Sequence, residues 1–160
     1  MLIALGVVAW IVLAVLALRG ARWAYAVFVI LAFVWIPART GFHLHRPECQ
    51  MRLSLDLVLF SLTKYKHVFL FGVFFLMTRV QLARTRYAPL LAAAATLAIG
   101  VLIEIEEGAT RTGNCAMRDL FPDGAGALVG ELITRIWKRR EVNFSSRPLE
   151  PVVGRHVELL

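Results

Sequence analysis

Polar residues in this chain come in bursts, and between the bursts lie apolar runs long enough to be helices. The run "LIALGVVAWIVLAVLAL" (residues 2–18) carries no charge. At about 1.5 Å of rise per residue it is close to the length that crosses a hydrocarbon core. A second run, "WAYAVFVILAFVWIP", fills residues 23–37, and a third has its core in "HVFLFGVFFLM" at 67–77. A fourth, "YAPLLAAAATLAIGVLIEI", fills 87–105, and a fifth, "LFPDGAGALVGELITRIW", fills 120–137. None alternates with period two, as an outer-membrane strand would, so helices remain the way to satisfy the backbone in lipid. The pattern predicts an all-α protein, an integral membrane helical bundle of about five transmembrane helices within residues 1–140, with a C-terminal tail at 141–160. The segment "LSLDLVLFSL" (53–62) is apolar apart from Asp56 and reads as lying flat at the interface. Fused to the third helix, it would place Lys64, Lys66 and His67 near mid-bilayer at considerable cost.

Composition agrees with the pattern. Hydrophobic residues make up 59% of the 160 and mean hydropathy is +0.68, against roughly 45–50% apolar residues in soluble domains. A cleaved signal peptide is disfavoured for the first run, because no basic residue precedes it and "RGAR" replaces a small-residue cleavage site. The Lys and Arg positions set an expected orientation. "RGAR", "TRVQLARTR" with Arg79, Arg84 and Arg86, and "KRR" from Lys138 should be cytoplasmic by the positive-inside rule. That places the N-terminus outside, together with the mixed connection of Arg39, His43, His45, Arg46, Glu48, Arg52 and Asp56 and the acid-rich connection after the fourth helix. Trp23 and Trp137 would then stand at the cytoplasmic boundary and Trp35 at the outer one. The net charge of +7 falls mostly on the cytoplasmic side, which points to membrane lipids as partners and not to nucleic acid.

With this orientation the remaining polar residues collect on the outward rim. Lys64 and His67 open the third helix at a spacing of three, Glu104 and Glu107 close the fourth at the same spacing, and Asp119, Asp123, Gly126 and Gly130 run at steps of four, three and four. The last series forms a seam, acidic in its outer turn and small deeper down, where Gly126 and Gly130 have the spacing that lets helices approach closely. Arg111 and Arg118 lie beside the acids in sequence.

These residues resemble the VanZ-like family of bacterial membrane proteins. Its members show Lys-x-x-His opening one helix, Glu-x-x-Gln closing the next, then an Arg and an Asp-x-x-x-Asn-x-x-Gly-x-x-x-Gly series. Here Lys64 and His67, Glu104, Arg111, Asp119, Gly126 and Gly130 take those places, with Glu107 where Gln is usual, Asp123 where Asn is usual and Thr63 where Asp is frequent. The resemblance covers about residues 63–137. It implies a cell-envelope role in the bacterial inner (cytoplasmic) membrane, the family being named for an accessory protein of glycopeptide-antibiotic resistance.

Two uses of the polar cluster stay open on sequence grounds. The acids can pair with Lys64, Arg111 and Arg118 to lock three helices together, or the rim can hold an envelope ligand such as a lipid headgroup or a cell-wall precursor. A metal site is disfavoured because no tight spacing such as His-Glu-x-x-His is present, and "HLHRPEC" offers only His43, His45 and Cys49 in a loop. No Ser or Cys nucleophile stands beside a His in sequence, and "GAGALVG" lacks the Lys-Ser/Thr ending of a phosphate loop, so no catalytic, cofactor or metal residues are assigned and an enzyme is not expected. The tail "EVNFSSRPLEPVVGRHVELL" has no sustained period. It opens a different class of function, an accessory transmembrane subunit of a larger respiratory or photosynthetic assembly, bound to other subunits through that tail and its helix faces. Finally, the topology puts Cys49 and Cys115, the only cysteines, in two outward connections where a disulfide can form and persist.

Overall fold

A computed structural model of the chain describes residues 2–40, 45–113 and 115–145, without the side chains of 2–4, 35–40 and 141–145. The side chain of Trp35, His43 and residues 146–160 of the tail therefore lie outside the described residues. The described residues form six α-helices: α1 (Leu2–Leu18), α2 (Arg22–Thr40), α3 (Leu55–Leu62), α4 (Tyr65–Gln81), α5 (Ala88–Thr110) and α6 (Leu120–Ser145). A 3₁₀ turn at Met117–Asp119 leads into α6, and the only ladder pairing among the described residues is an isolated bridge between Gln50 and Ala116.

The all-helical expectation is met. Among the described residues one helix, α5, is by itself long and apolar enough to cross a membrane. The stretches Leu5–Leu18 and Arg22–Val34 are apolar but shorter, and α6 carries Asp123, Glu131 and Arg135 within its apolar length. The segment at 53–62 is a separate helix, and α3 meets α4 at a bend of 70°. That corner is built locally. Ser54 caps α3 by accepting from the Leu57 amide at 3.3 Å, Thr63 turns its hydroxyl back to the Phe60 carbonyl at 2.7 Å, and Lys64 takes a non-helical backbone before α4 begins.

Helix α4 stands at the centre. Phe74 and Met77 pack toward α1 and α2 with Ala17, Ala24 and Phe28, whereas Phe75 packs toward α5 and α6 with Ala92 and Ala127. The α1–α2 turn ends as a Schellman motif, with Gly20 at φ 92° and the Ala21 amide reaching the Leu16 carbonyl at 3.0 Å. Helices α1, α4 and α6 run in one direction and α2 and α5 in the other. Gln81 at the end of α4 donates to the Ala17 carbonyl at the end of α1 (2.8 Å), and the contacts of α6 with α4 advance together from Asp119 with Lys64 to Glu131 with Arg79.

The α4–α6 pair approaches closest at glycine. A Cβ on Gly126 would stand 2.5 Å from the Val68 carbonyl oxygen and 2.8 Å from the Gly72 nitrogen, and one on Gly130 would stand 2.7 Å from Phe75 and 3.1 Å from the Gly72 carbonyl oxygen. Both seam glycines thus lie where two backbones nearly touch, and Gly72 on the facing helix completes the contact.

Candidate functional site

The end of the bundle at which α4 and α6 begin and α5 stops gathers most of the predicted cluster. Asp119 closes the 3₁₀ turn and is 5% exposed. Its carboxylate accepts from Lys64 Nζ on Oδ2 and from the Ser61 hydroxyl on Oδ1 at 2.7 Å, so the α3–α4 corner delivers two donors to one acid. Burial pushes the Asp119 carboxyl up, but the Lys64 and Ser61 hydrogen bonds outweigh it and hold the group below its ordinary value.

One helical turn further on, Asp123 is 1% exposed and its Oδ1 lies 3.2 Å from His67 Nδ1. An ionised carboxylate only accepts, so with Asp123 charged the ring nitrogen is the donor. Asp123 sits in the first turn of α6, where the positive end of the helix dipole favours an acid. Pro122 beside it is fully buried, in a turn whose amides have no intrahelical acceptor to lose. The carboxylate also needs room on α5, which Gly100 provides: a Cβ there would overlap Asp123 and come within 3.3 Å of Leu120.

Glu104 is 2% exposed and has no cationic partner among the described residues. Its Oε2 accepts from the Ala116 amide at 2.7 Å, so it ties α5 to the segment that enters α6. That segment is stitched from both sides. Cys49 and Cys115 stand at disulfide geometry with Cα atoms 4.5 Å apart, the Gln50 amide donates to the Cys115 carbonyl at 2.7 Å, the Met117 amide donates to the Gln50 carbonyl at 3.2 Å, and the His45 amide donates to the Ala109 carbonyl at 2.7 Å. With its sulfur in that bond, Cys49 is not available as a thiolate ligand beside His45.

Three predicted members stand apart from the knot. Arg111 takes the left-handed cap position of α5 at φ 55° and is exposed, so it pairs with none of the acids. Arg118 reaches away to Gln50 Oε1 at 3.2 Å. Glu107 folds over the following loop, its carboxylate where a Cβ on Gly113 would be. Three-residue spacing put Glu104 and Glu107 on one side of α5, but only Glu104 reaches the segment that enters α6. The expected pairing with both arginines fails because the chain turns sharply at Arg111 and the 3₁₀ turn aims Arg118 outward.

Sequence reading passed over Ser61, Gly72 and Gly100. Ser61 sits three residues before Lys64 in an apolar segment, and Gly72 and Gly100 are isolated glycines in helices, which usually mark a close approach. The Ser61 hydroxyl is bonded to Asp119 and lies 3.0 Å from the Arg118 carbonyl; its proton is directed at an acid and not at the ring of His67. That is not the geometry of a base-activated nucleophile. What the site presents instead is a pair of partly accessible bases over buried acids, the Lys64 and His67 side chains being 37% and 29% exposed and those of Asp119 and Asp123 being 7% and 1%.

Comparison with protein families, with curated proteins and with solved structures found no match.

Proposed function

We propose that the chain is a multi-pass protein of a bacterial cytoplasmic membrane, with α1, α2, α4, α5 and α6 as its five spans and α3 at the outer interface. The N-terminus is outside and the C-terminus is in the cytoplasm. The observation that carries this reading is that the connections holding bases without acids lie at one end of the bundle and the cysteine pair at the other. Arg19, Arg22, Arg84, Arg86 and Lys138 belong to the ends of α1, α4 and α6 and the starts of α2 and α5. The opposite end mixes Lys64, Lys66, Arg111 and Arg118 with Glu104, Asp119 and Asp123, and it holds the cysteine pair. Positive charge retained in the cytoplasm and a disulfide kept on the oxidising side favour the same orientation. The bare apolar faces support it as well: Leu5, Val8 and Ile11 of α1 and Leu128, Leu132 and Ile136 of α6 are all exposed, more apolar surface than a soluble monomer tolerates.

The role proposed for the outward rim rests on its partly accessible bases. Lys64 and His67, held over Asp119 and Asp123, form a fixed polar edge suited to a non-catalytic envelope function, in which an anionic ligand at the membrane surface meets Lys64 and His67. The resemblance of Lys64, His67, Glu104, Asp119, Gly126 and Gly130 to the VanZ-like series supports the same assignment.

Cysteine accessibility tests the topology. With Arg84→Cys in intact cells, a membrane-impermeant maleimide should label only after lysis, and labelling from outside overturns the orientation. Purification under native conditions tests the role: an isolated protein whose Lys64→Ala and His67→Ala variants change sensitivity to envelope-directed drugs supports it. Co-purification with other subunits in fixed stoichiometry supports the accessory-subunit reading instead.

A further inference from the structure

A cavity of about 520 Å³ runs along the junction of α1 and α4, walled by Gly6, Trp10 and Ala14 on one side, Phe69 and Val73 on the other, and Phe28 behind. Every lining residue is apolar. Its size falls within the roughly 300–1,000 Å³ of small-molecule sites, and from Gly6 to Ala14 it follows α1 for about 12 Å. Gly6 keeps one end open, since no atom lies within 4 Å of the place its side chain would occupy. A space along a helix pair with an almost wholly apolar lining suits a hydrocarbon chain.

The charge above that open end says what the chain is attached to. Lys66 shares a face of α4 with Phe69, Leu70 and Val73, at spacings of three, four and seven. Helical side chains lean toward the N-terminus, so the Lys66 ammonium rises past the cavity and not into it. Lys64, two residues earlier, is committed to Asp119, whereas Lys66 is exposed and in no ion pair among the described residues. The first turn of α4 contains no acid, and its dipole adds positive potential at the same level.

We infer that this groove binds one acyl chain of an anionic membrane phospholipid, with its phosphate held at Lys66. The inference rests on the membrane placement proposed above and names a ligand that the rim residues Lys64 and His67 do not by themselves define. A zwitterionic lipid fits the groove equally well but brings an ammonium group to Lys66, so selection is by headgroup charge.

Trp10, inside the groove, is a built-in reporter for brominated acyl chains, which quench tryptophan on contact. The full chain, with Trp23, Trp35 and Trp137 each replaced by Phe, is reconstituted in vesicles containing brominated phosphatidylglycerol or brominated phosphatidylcholine at increasing mole fraction. Half-maximal quenching of Trp10 should need about fivefold less of the anionic lipid, the equivalent of roughly 1 kcal/mol for one cation at a membrane surface. Lys66→Gln should bring the two curves together, Lys66→Arg should keep them apart, and Gly6→Leu should reduce quenching by both lipids while helical circular dichroism is unchanged. Coincident curves for the unsubstituted Lys66 protein, or a preference that survives Lys66→Gln, overturns the site and leaves the membrane placement standing. Absence of quenching by either lipid overturns the placement and the site together.

Discussion

At the acidic end of the bundle Asp119 takes hydrogen bonds from Ser61 and Lys64, Asp123 from His67 and Glu104 from the Ala116 amide, and the Cys49–Cys115 pair fastens the surrounding loop. At the basic end Arg79 Nε and Glu131 Oε2 face each other at 3.7 Å, and both atoms are buried without a hydrogen-bond partner among the described residues. Glu131 turns its other oxygen to Arg135, four residues on along the same helix, at 2.8 Å. The two ends hold comparable charges but place them in different relations. Acids answered by donors from other segments restrain those segments, whereas an ion pair beyond hydrogen-bond reach and a second pair within one helix restrain little tertiary structure. Local opening should therefore be hardest where α6 begins and easier where α4 ends.

The largest expected effect concerns the helix contact that joins the two ends. Gly126→Leu should prevent α4 and α6 from closing, and Gly126→Ala should already cost about 2 kcal/mol, because the facing atoms belong to the α4 backbone and cannot move aside. Gly124 lies two residues away in the same helix, with Leu97 3.8 Å from an added Cβ as its nearest neighbour, so Gly124→Ala should stabilise by up to about 1 kcal/mol. Denaturant unfolding in micelles reads both, and equal responses would remove the close approach as the link between the ends.

Reducing the cysteine pair, or replacing both residues by Ser, should come next. The bond spans 66 residues, and opening it should cost about 2–4 kcal/mol. The loss should be one-sided: hydrogen exchange should quicken at the amides of Gln50, Ala116 and Met117 and stay unchanged around Arg79 and Arg135. Uniform acceleration would mean that the ends are not separable units.

A smaller effect separates the two ion pairs. Lys64→Met leaves the Asp119 carboxylate buried with Ser61 alone, which should cost about 2 kcal/mol, less than for a fully buried pair because the Lys64 side chain is partly exposed. Glu131→Gln should cost under about 1 kcal/mol, since the Arg79 contact is long and the Arg135 contact is local. Reversal of that order in thermal unfolding would invert the comparison.

The smallest effect is on pH. The folded Asp119 carboxyl titrates below its unfolded value of about 4, so its contribution is complete above that value and is lost as pH falls from there through the folded pKa. Acid should loosen this end first, and Asp119→Asn should flatten the pH dependence of stability in that window. An unchanged profile would mean that Lys64 and Ser61 do not favour the charged form.

Much of the helix pattern was legible in the sequence. Residues 2–18 were outlined to the residue, because an uninterrupted apolar run ends at a charged pair with a glycine between its members. The corner at Thr63 was legible too, since one unbroken helix from 53 to 77 would place Lys64, Lys66 and His67 in the middle of its apolar length. The cysteine pairing was legible only as a possibility, open to the two cysteines because their connections were expected on one side, and the structure sets Cys49 and Cys115 at disulfide geometry. That Arg111 would stand exposed and Arg118 would turn to Gln50 was not legible, because both depend on how a short turn aims two side chains, and no periodicity extends through a turn.

The sequence by itself determined which residues could be buried, which helix faces carried acids and where glycine would let helices close, since those depend on spacing along one element. Only the tertiary structure decided that Asp119 would be answered by Ser61 as well as Lys64, that Asp123 would occupy the space left by Gly100, and that Glu104 would hold a backbone amide and not a cation. Each of those choices depends on the register between two elements. Register is fixed by close packing across the whole bundle, and small differences in side-chain volume on one helix set which polar groups meet on the next.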